Sequence, residues 1–102
     1  MDRKTVRGFA RAAVSYGQAM YRHQESLELV KQQKSTLANL RRWEKKPETR
    51  KVSGALESVR QEILVTQQRL RADSRYSKSL SREAARLKRV LETRTRELVT
   101  ME

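Results

Sequence analysis

The sequence predicts an all-α protein: a long antiparallel helical hairpin of the coiled-coil type, which dimerises into a helical bundle. Three observations predict it. A heptad repeat of apolar residues runs through the second half of the 102 residues, a similar repeat runs through the first half, and the only proline lies between them. We therefore expect a single unit with one helix at about residues 2–45, a turn at about 46–48 and a second helix at about 49–102.

The first helix carries a heptad over most of its length. Its two series are Val6, Ala13, Met20, Leu27, Lys34, Arg41 and Phe9, Tyr16, His23, Val30, Leu37, Glu44. Towards the end the apolar stripe drifts to Leu40 and Trp43, as a helix of 3.6 residues per turn drifts from a seven-residue repeat. The expected contact residues of this helix are Phe9, Tyr16, Met20, Leu27, Val30 and Leu37.

The turn is predicted at Pro47. Proline inside a helix removes a backbone hydrogen bond, and it pushes the preceding residue, here Lys46, into an extended conformation. Pro47 also suits the first position of a following helix, where its missing N–H costs nothing, and Glu48 is favourable in a first turn.

The second helix keeps one unbroken heptad. Its two series are Leu56, Ile63, Leu70, Ser77, Ala84, Leu91, Leu98 and Val52, Val59, Thr66, Asp73, Leu80, Leu87, Arg94, Met101. Eleven of these fifteen positions are apolar, which is typical of a coiled-coil interface. The expected contact residues are Leu56, Val59, Ile63, Leu70, Leu80, Leu87, Leu91 and Leu98.

Two polar residues interrupt the apolar series. If the chain folds back at Pro47, His23 lies about level with Leu70 to Asp73, so His23 and Asp73 are expected to form a polar core layer. Such a layer fixes the register of two helices. A pH-sensitive contact is the alternative, because histidine titrates near neutral pH, but we favour an interhelical hydrogen bond.

The composition limits the possible binding partners and the possible classes of function. The net charge of +12 indicates an anionic membrane, a nucleic acid or an acidic protein as partner. A hydrophobic content of 36% leaves a two-helix hairpin with little core, so we expect a homodimer or a helical partner chain. One histidine, no cysteine and no glycine-rich loop argue against an enzyme, a metal site or a bound cofactor.

Two basic clusters are candidate sites for binding an anionic surface. The first lies around the turn and surrounds the only tryptophan: Arg41, Arg42, Trp43, Lys45, Lys46, Arg50 and Lys51. Trp43 suits the headgroup level of a membrane, but it equally suits a cover over the hairpin end against Val52 or Leu56. The second cluster steps by three or four residues along one helix face and comprises Arg75, Lys78, Arg82, Arg86 and Arg89.

The chain also resembles the last two helices of a BAR domain of the sorting-nexin type. The matching stretches are Tyr16-Gly-Gln-Ala-Met20, similar to a Tyr-x-x-Ala-Leu start, and the run from Ser81 to Leu98. In that run Glu83, Arg86, Leu87 and Lys88 stand where sorting nexins have Glu-x-x-Arg-Phe-Lys, with Leu87 in place of Phe. The resemblance implies a crescent-shaped dimer on curved membrane, with lipid contacts at residues 41–51. It covers about residues 16–102 and has no counterpart of the first BAR helix or the PX domain.

Together these features predict a non-enzymatic, BAR-like helical scaffold that dimerises and binds anionic membrane surfaces. The alternatives are a structural subunit of a larger assembly and a basic hairpin that binds nucleic acid non-specifically. We expect a cytoplasmic, peripheral membrane location. The basic first 22 residues also fit a mitochondrial transit peptide, but they carry the heptad, and we therefore favour a structural role for them.

Overall fold

The computed structural model describes residues 2–100 and contains three helices in that range, with no strand. Helix α1 spans Arg3–Lys45, α2 spans Pro47–Lys51 and α3 spans Ala55–Thr100. The prediction of an all-α helical hairpin is confirmed. The end of the predicted second helix, including Met101 of its heptad, lies outside the described residues.

Both ends of α1 follow from local chemistry. Asp2 caps the start, because its carboxylate accepts a hydrogen bond from the Lys4 backbone N–H at 3.1 Å. The helix ends at Lys45 because Pro47 holds Lys46 in an extended conformation, with φ −73° and ψ 134°. Pro47 then takes the first turn of α2, as the sequence predicted.

The connection between α1 and α3 is longer than the predicted turn at residues 46–48. After α2, residues 52–54 leave the helical conformation, and Gly54 has a left-handed φ of 78°. Its carbonyl oxygen accepts the hydrogen bond from the Ser58 N–H at 3.0 Å that starts α3. The second long helix therefore begins at Ala55 rather than at about residue 49. Val52 precedes that helix and is 63% exposed, so it is not part of the helix interface.

The chain divides into two compact units along the hairpin, and each is described by itself. Unit 1 combines the part of α1 up to Glu25 with the part of α3 from Ser77 onward. Unit 2 comprises Ser26–Tyr76 and includes the connection. In an antiparallel helix pair, each residue contacts only residues at the same height along the helix axes. Packing contacts therefore form within each unit.

Unit 1 has an interface built mainly of alanine. Its buried side chains are Ala12, Ala19, Ser77, Leu80 and Ala84, and Ala19 is only 2% exposed. The predicted contact residues Phe9, Tyr16, Leu87, Leu91 and Leu98 are half-buried. Gly8 lies 3.5 Å from the Arg94 side chain, measured from the place of a Cβ atom, and His23, later in α1, shares a cavity with Ser81, earlier in α3, so the two helices run antiparallel here.

Unit 2 has larger apolar residues at its interface. Leu37 and Ile63 are buried, together with Ser26, Thr49 and Thr66. The predicted contact residues Val30, Leu56, Val59 and Leu70 are half-buried. The Gln33 side chain donates a hydrogen bond to Asp73 at 2.5 Å, and Arg60 lies 3.5 Å from Glu44 across the two helices.

The predicted face of α1 is wrong in one of its two series. Met20 is 37% exposed and Leu27 is 48% exposed, although both are expected contact residues, and Val6 of the same series is 41% exposed. The residues one position earlier, Ala19 and Ser26, are buried instead. Small side chains let two helix backbones approach closely, and this packing outweighs the hydrophobicity of the neighbouring position.

The predicted polar layer of His23 and Asp73 is also wrong. Asp73 accepts its hydrogen bond from Gln33 within unit 2, whereas His23 belongs to unit 1 and lines a cavity with Ser81 and Ala84. The prediction assumed a tight turn at Pro47. Because α2 and residues 52–54 add length to the connection, each residue of α1 faces a later residue of α3.

Candidate anionic-surface interface

The end of unit 2 that contains the connection carries most of the first basic cluster. Arg41, Arg42, Lys45, Lys46, Arg50 and Lys51 are all exposed. We call residues 41–52 the connector end. Of its acidic residues, Glu48 is exposed and Glu44 is half-buried, within 3.5 Å of Arg60. The connector end therefore has an excess of solvated positive charge.

Trp43 and Val52 add exposed apolar surface to the connector end. Trp43 is 51% exposed, and the Lys46 ammonium group lies 4.0 Å from the centroid of its ring. Such a cation–π contact contributes about 0.5–1 kcal/mol at an exposed site. With half its surface exposed, Trp43 is available to a ligand that is both apolar and anionic.

A buried threonine holds the connection in place. The Thr49 hydroxyl donates a hydrogen bond of 2.6 Å to the carbonyl oxygen of Trp43, which also accepts one from the Lys46 N–H at 3.2 Å. These bonds satisfy a carbonyl group at the end of α1 that has no partner within the helix. This role of Thr49 is not apparent from sequence patterns, because the residue lies six positions beyond its partner.

An open cavity of about 500 Å³ lies between the connection and the start of α3. Arg50 and Arg60 supply positive charge to its walls, Val52 and Leu56 supply apolar surface, and Glu57 is the acidic residue among its lining side chains. This combination suits an anionic group attached to an apolar one.

The second basic cluster is exposed along α3. Arg75 belongs to unit 2, whereas Lys78, Arg82, Arg86 and Arg89 belong to unit 1. These four residues lie on the side of α3 away from the buried Leu80 and Ala84. The cluster presents exposed cations along one helix face, so it can attract an anionic polymer or surface without selecting among them.

Unit 1 has a separate open surface beside its interface. Two cavities, of about 460 and 220 Å³, share Tyr16 and Lys88 in their walls. Elsewhere on α1, Glu25 raises the pKa of the Tyr21 phenol, first through a hydrogen bond and second through its charge. Both residues are exposed, and the contact is a surface pair on one helix.

Within residues 2–100, no group of three or more histidine and acidic side chains is placed to hold a metal ion. Over the same range, no helix is apolar enough for long enough to cross a membrane.

The chain matches no protein-family model, and no curated protein or solved structure is significantly similar to it. The similarity to sorting-nexin BAR domains therefore stays a prediction from the motifs around Tyr16 and residues 81–98.

Proposed function

We propose that this chain is a non-enzymatic helical scaffold that binds anionic membrane surfaces peripherally through its connector end. The observation that carries the proposal is the composition of that end: six exposed cations around a half-exposed tryptophan. The headgroup region of an anionic bilayer binds both kinds of side chain favourably, because tryptophan is favoured there and cations are attracted.

The energetics support binding without any deep insertion. Each Lys or Arg near an anionic bilayer contributes about 1 kcal/mol, so several of them acting together give appreciable affinity. The cavity lined by Arg50, Arg60 and Leu56 offers further contacts for a phosphate group next to an acyl chain. The Thr49 hydrogen bond limits the loss of conformational entropy, because the connection is already ordered before binding.

The test is co-sedimentation of the whole chain with liposomes of phosphatidylserine and phosphatidylcholine, compared with phosphatidylcholine alone, at about 150 mM salt. We expect the chain to pellet only with the anionic liposomes. The triple variant Lys45→Glu, Lys46→Glu, Lys51→Glu should abolish that binding, because three attractive charges become repulsive.

The matched control is Arg3→Glu, Lys4→Glu, Arg7→Glu, which makes the same change in net charge on exposed residues of unit 1. The control should retain most of the binding. An equal loss in both triple variants would show that net charge alone matters and would contradict a role for the connector end. Trp43→Ala should weaken binding more than Tyr76→Ala, which removes an aromatic residue of similar exposure.

Non-specific binding of nucleic acid is the second candidate, supported by the exposed cations Lys78, Arg82, Arg86 and Arg89 on α3. If about six or more phosphates are contacted, the affinity for duplex DNA should fall several hundred-fold or more between about 50 and 200 mM salt. A flat salt response would exclude this candidate. Liposome binding that excess DNA cannot displace would favour the membrane.

A structural subunit of a larger assembly is the remaining alternative. It predicts that the isolated chain is poorly folded, because its exposed apolar residues would be covered only in the assembly. Cooperative unfolding of the isolated chain in urea would count against it.

A further inference from the structure

We propose that the open groove of unit 1, which lies between α1 and α3 beside the alanine interface, binds a separate acidic amphipathic helix. The groove is formed by the two cavities that share Tyr16 and Lys88. Its apolar walls include Met20 from α1 and Ala85 and Leu91 from α3. It uses other residues than the connector end, so the proposal stands apart from membrane binding.

The groove exists because the interface of unit 1 is made of small residues. Ala12, Ala19 and Ala84 fill the contact between the helices, and the longer Met20 side chain is left at the edge. The half-buried Tyr16 side chain lies at the same edge and faces Lys88 and Leu91 of α3.

The dimensions of the groove match a helix. Along α3 its walls run from Ser81 to Arg96. At 1.5 Å per residue this is about 22 Å, or roughly four helical turns. Both walls are themselves helices, and an amphipathic helix that lays its apolar face into such a groove is a common mode of recognition.

Charge selects the type of helix. The described part of unit 1 contains twelve Lys and Arg residues and five Asp and Glu residues, so its net charge is 12 − 5 = +7. Around the groove, Lys88 and Arg96 outnumber Glu92. A second copy of unit 1 would bring the same positive charge, whereas a helix with Glu and Asp on both flanks of its apolar stripe would be attracted.

The test uses a labelled synthetic peptide of three Glu-Ile-Ala-Ala-Leu-Glu-Glu repeats and measures its binding to the whole chain by fluorescence anisotropy at about 150 mM salt. The control peptide has the same composition in an order without a heptad. We expect the amphipathic peptide to bind about ten-fold or more tightly than the control peptide, because only it can bury an apolar stripe.

Matched variants locate the binding site. Met20→Glu with Ala85→Glu places two carboxylates in the groove and should weaken peptide binding about ten-fold or more. Ala10→Glu with Val14→Glu adds the same charge on the exposed outer side of α1 and should have little effect. All four positions are exposed, and circular dichroism will show whether the helices are kept.

Three results would overturn the proposal. The first is equal affinity for the two peptides, and the second is an equal effect of the two pairs of substitutions. The third is a dimer in sedimentation experiments that dissociates only in the groove variant, which would assign the groove to a second copy. Liposome binding should be unchanged in the groove variant, so failure here is distinct from failure at the connector end.

Discussion

Units 1 and 2 are both antiparallel pairs of the same two helices, yet the side chains that they bury differ in size. Unit 2 buries Leu37 and Ile63 in its interface and leaves Trp43 exposed among cations at its end. Unit 1 buries alanine residues and leaves Met20 and half of the Tyr16 side chain at the edge of a groove. The contrast lies in the buried interface: unit 2 fills it with large apolar side chains, whereas unit 1 fills it mainly with small ones and has a groove beside it.

The largest expected effect comes from truncating one large buried side chain in each unit. Leu80→Ala in unit 1 and Ile63→Ala in unit 2 should each lower the free energy of unfolding by about 2–5 kcal/mol, through lost burial and a cavity. Leu80 is the only large side chain among the buried residues described in unit 1, so the loss of stability in Leu80→Ala should lie at the upper end of this range. Urea unfolding followed by circular dichroism measures both.

Amide hydrogen exchange then sharpens the comparison. Leu80→Ala should speed exchange mainly in unit 1, and Ile63→Ala mainly in unit 2, because each cavity disturbs its own contacts. Leu64→Ala, next to Ile63 and 56% exposed, is the control and should change stability by no more than about 0.5 kcal/mol. If each substitution reduced protection from exchange equally in both units, the two units would unfold as one and would not be separate in stability.

A smaller effect is expected at the polar contact inside unit 2. Asp73→Leu leaves the Gln33 amide without its partner, and the Gln33 carbonyl oxygen is already buried without a hydrogen bond. The substitution should cost about 1–3 kcal/mol. The double variant Gln33→Leu, Asp73→Leu should recover much of that loss, because no polar group is then left unpaired. Urea unfolding of the unmodified chain, of each single variant (Asp73→Leu and Gln33→Leu) and of the double variant gives the coupling energy between the two residues, and strictly additive effects would contradict the prediction.

The heptad of the second helix predicted which residues of α3 face α1, because its large apolar residues recur at both positions of the repeat. The heptad of the first helix was ambiguous. Val6, Met20 and Leu27 are more hydrophobic than Thr5, Ala19 and Ser26, yet the smaller series faces α3. Hydrophobicity alone predicts the burial of large residues, but close packing of two helices also requires small ones.

The register of the hairpin depended on the length of the connection, which the sequence did not reveal. Pro47 correctly marked the end of α1, but Gly54 marked the start of α3, and the short α2 between them was not anticipated. The predicted register therefore places His23 at the level of Asp73, whereas Gln33 occupies that level in the structure. The basic cluster of the connector end could be predicted without the register, because its residues are close together in the sequence.

The smallest effects are expected at two glycines with opposite signs, one in each unit. Gly54→Ala should lower the free energy of unfolding by about 1–2 kcal/mol, because a Cβ atom is strained at its φ of 78°. Gly17→Ala should raise it by up to about 1 kcal/mol, because alanine favours the helix and nothing occupies the space of the new methyl group. Thermal unfolding followed by circular dichroism measures both variants.

The Gly17 result also bears on the groove of unit 1. Gly17 lines neither cavity of the groove, and it lies seven positions after Ala10, about two helical turns, so it shares the outer face of α1 with that residue. Gly17→Ala should therefore stabilise the chain and leave binding of the acidic peptide unchanged, whereas Met20→Glu with Ala85→Glu weakens that binding. Fluorescence anisotropy with the same peptide measures the affinity of both variants. A loss of affinity in Gly17→Ala would show that the partner helix passes over the outer face of α1 and does not lie in the groove.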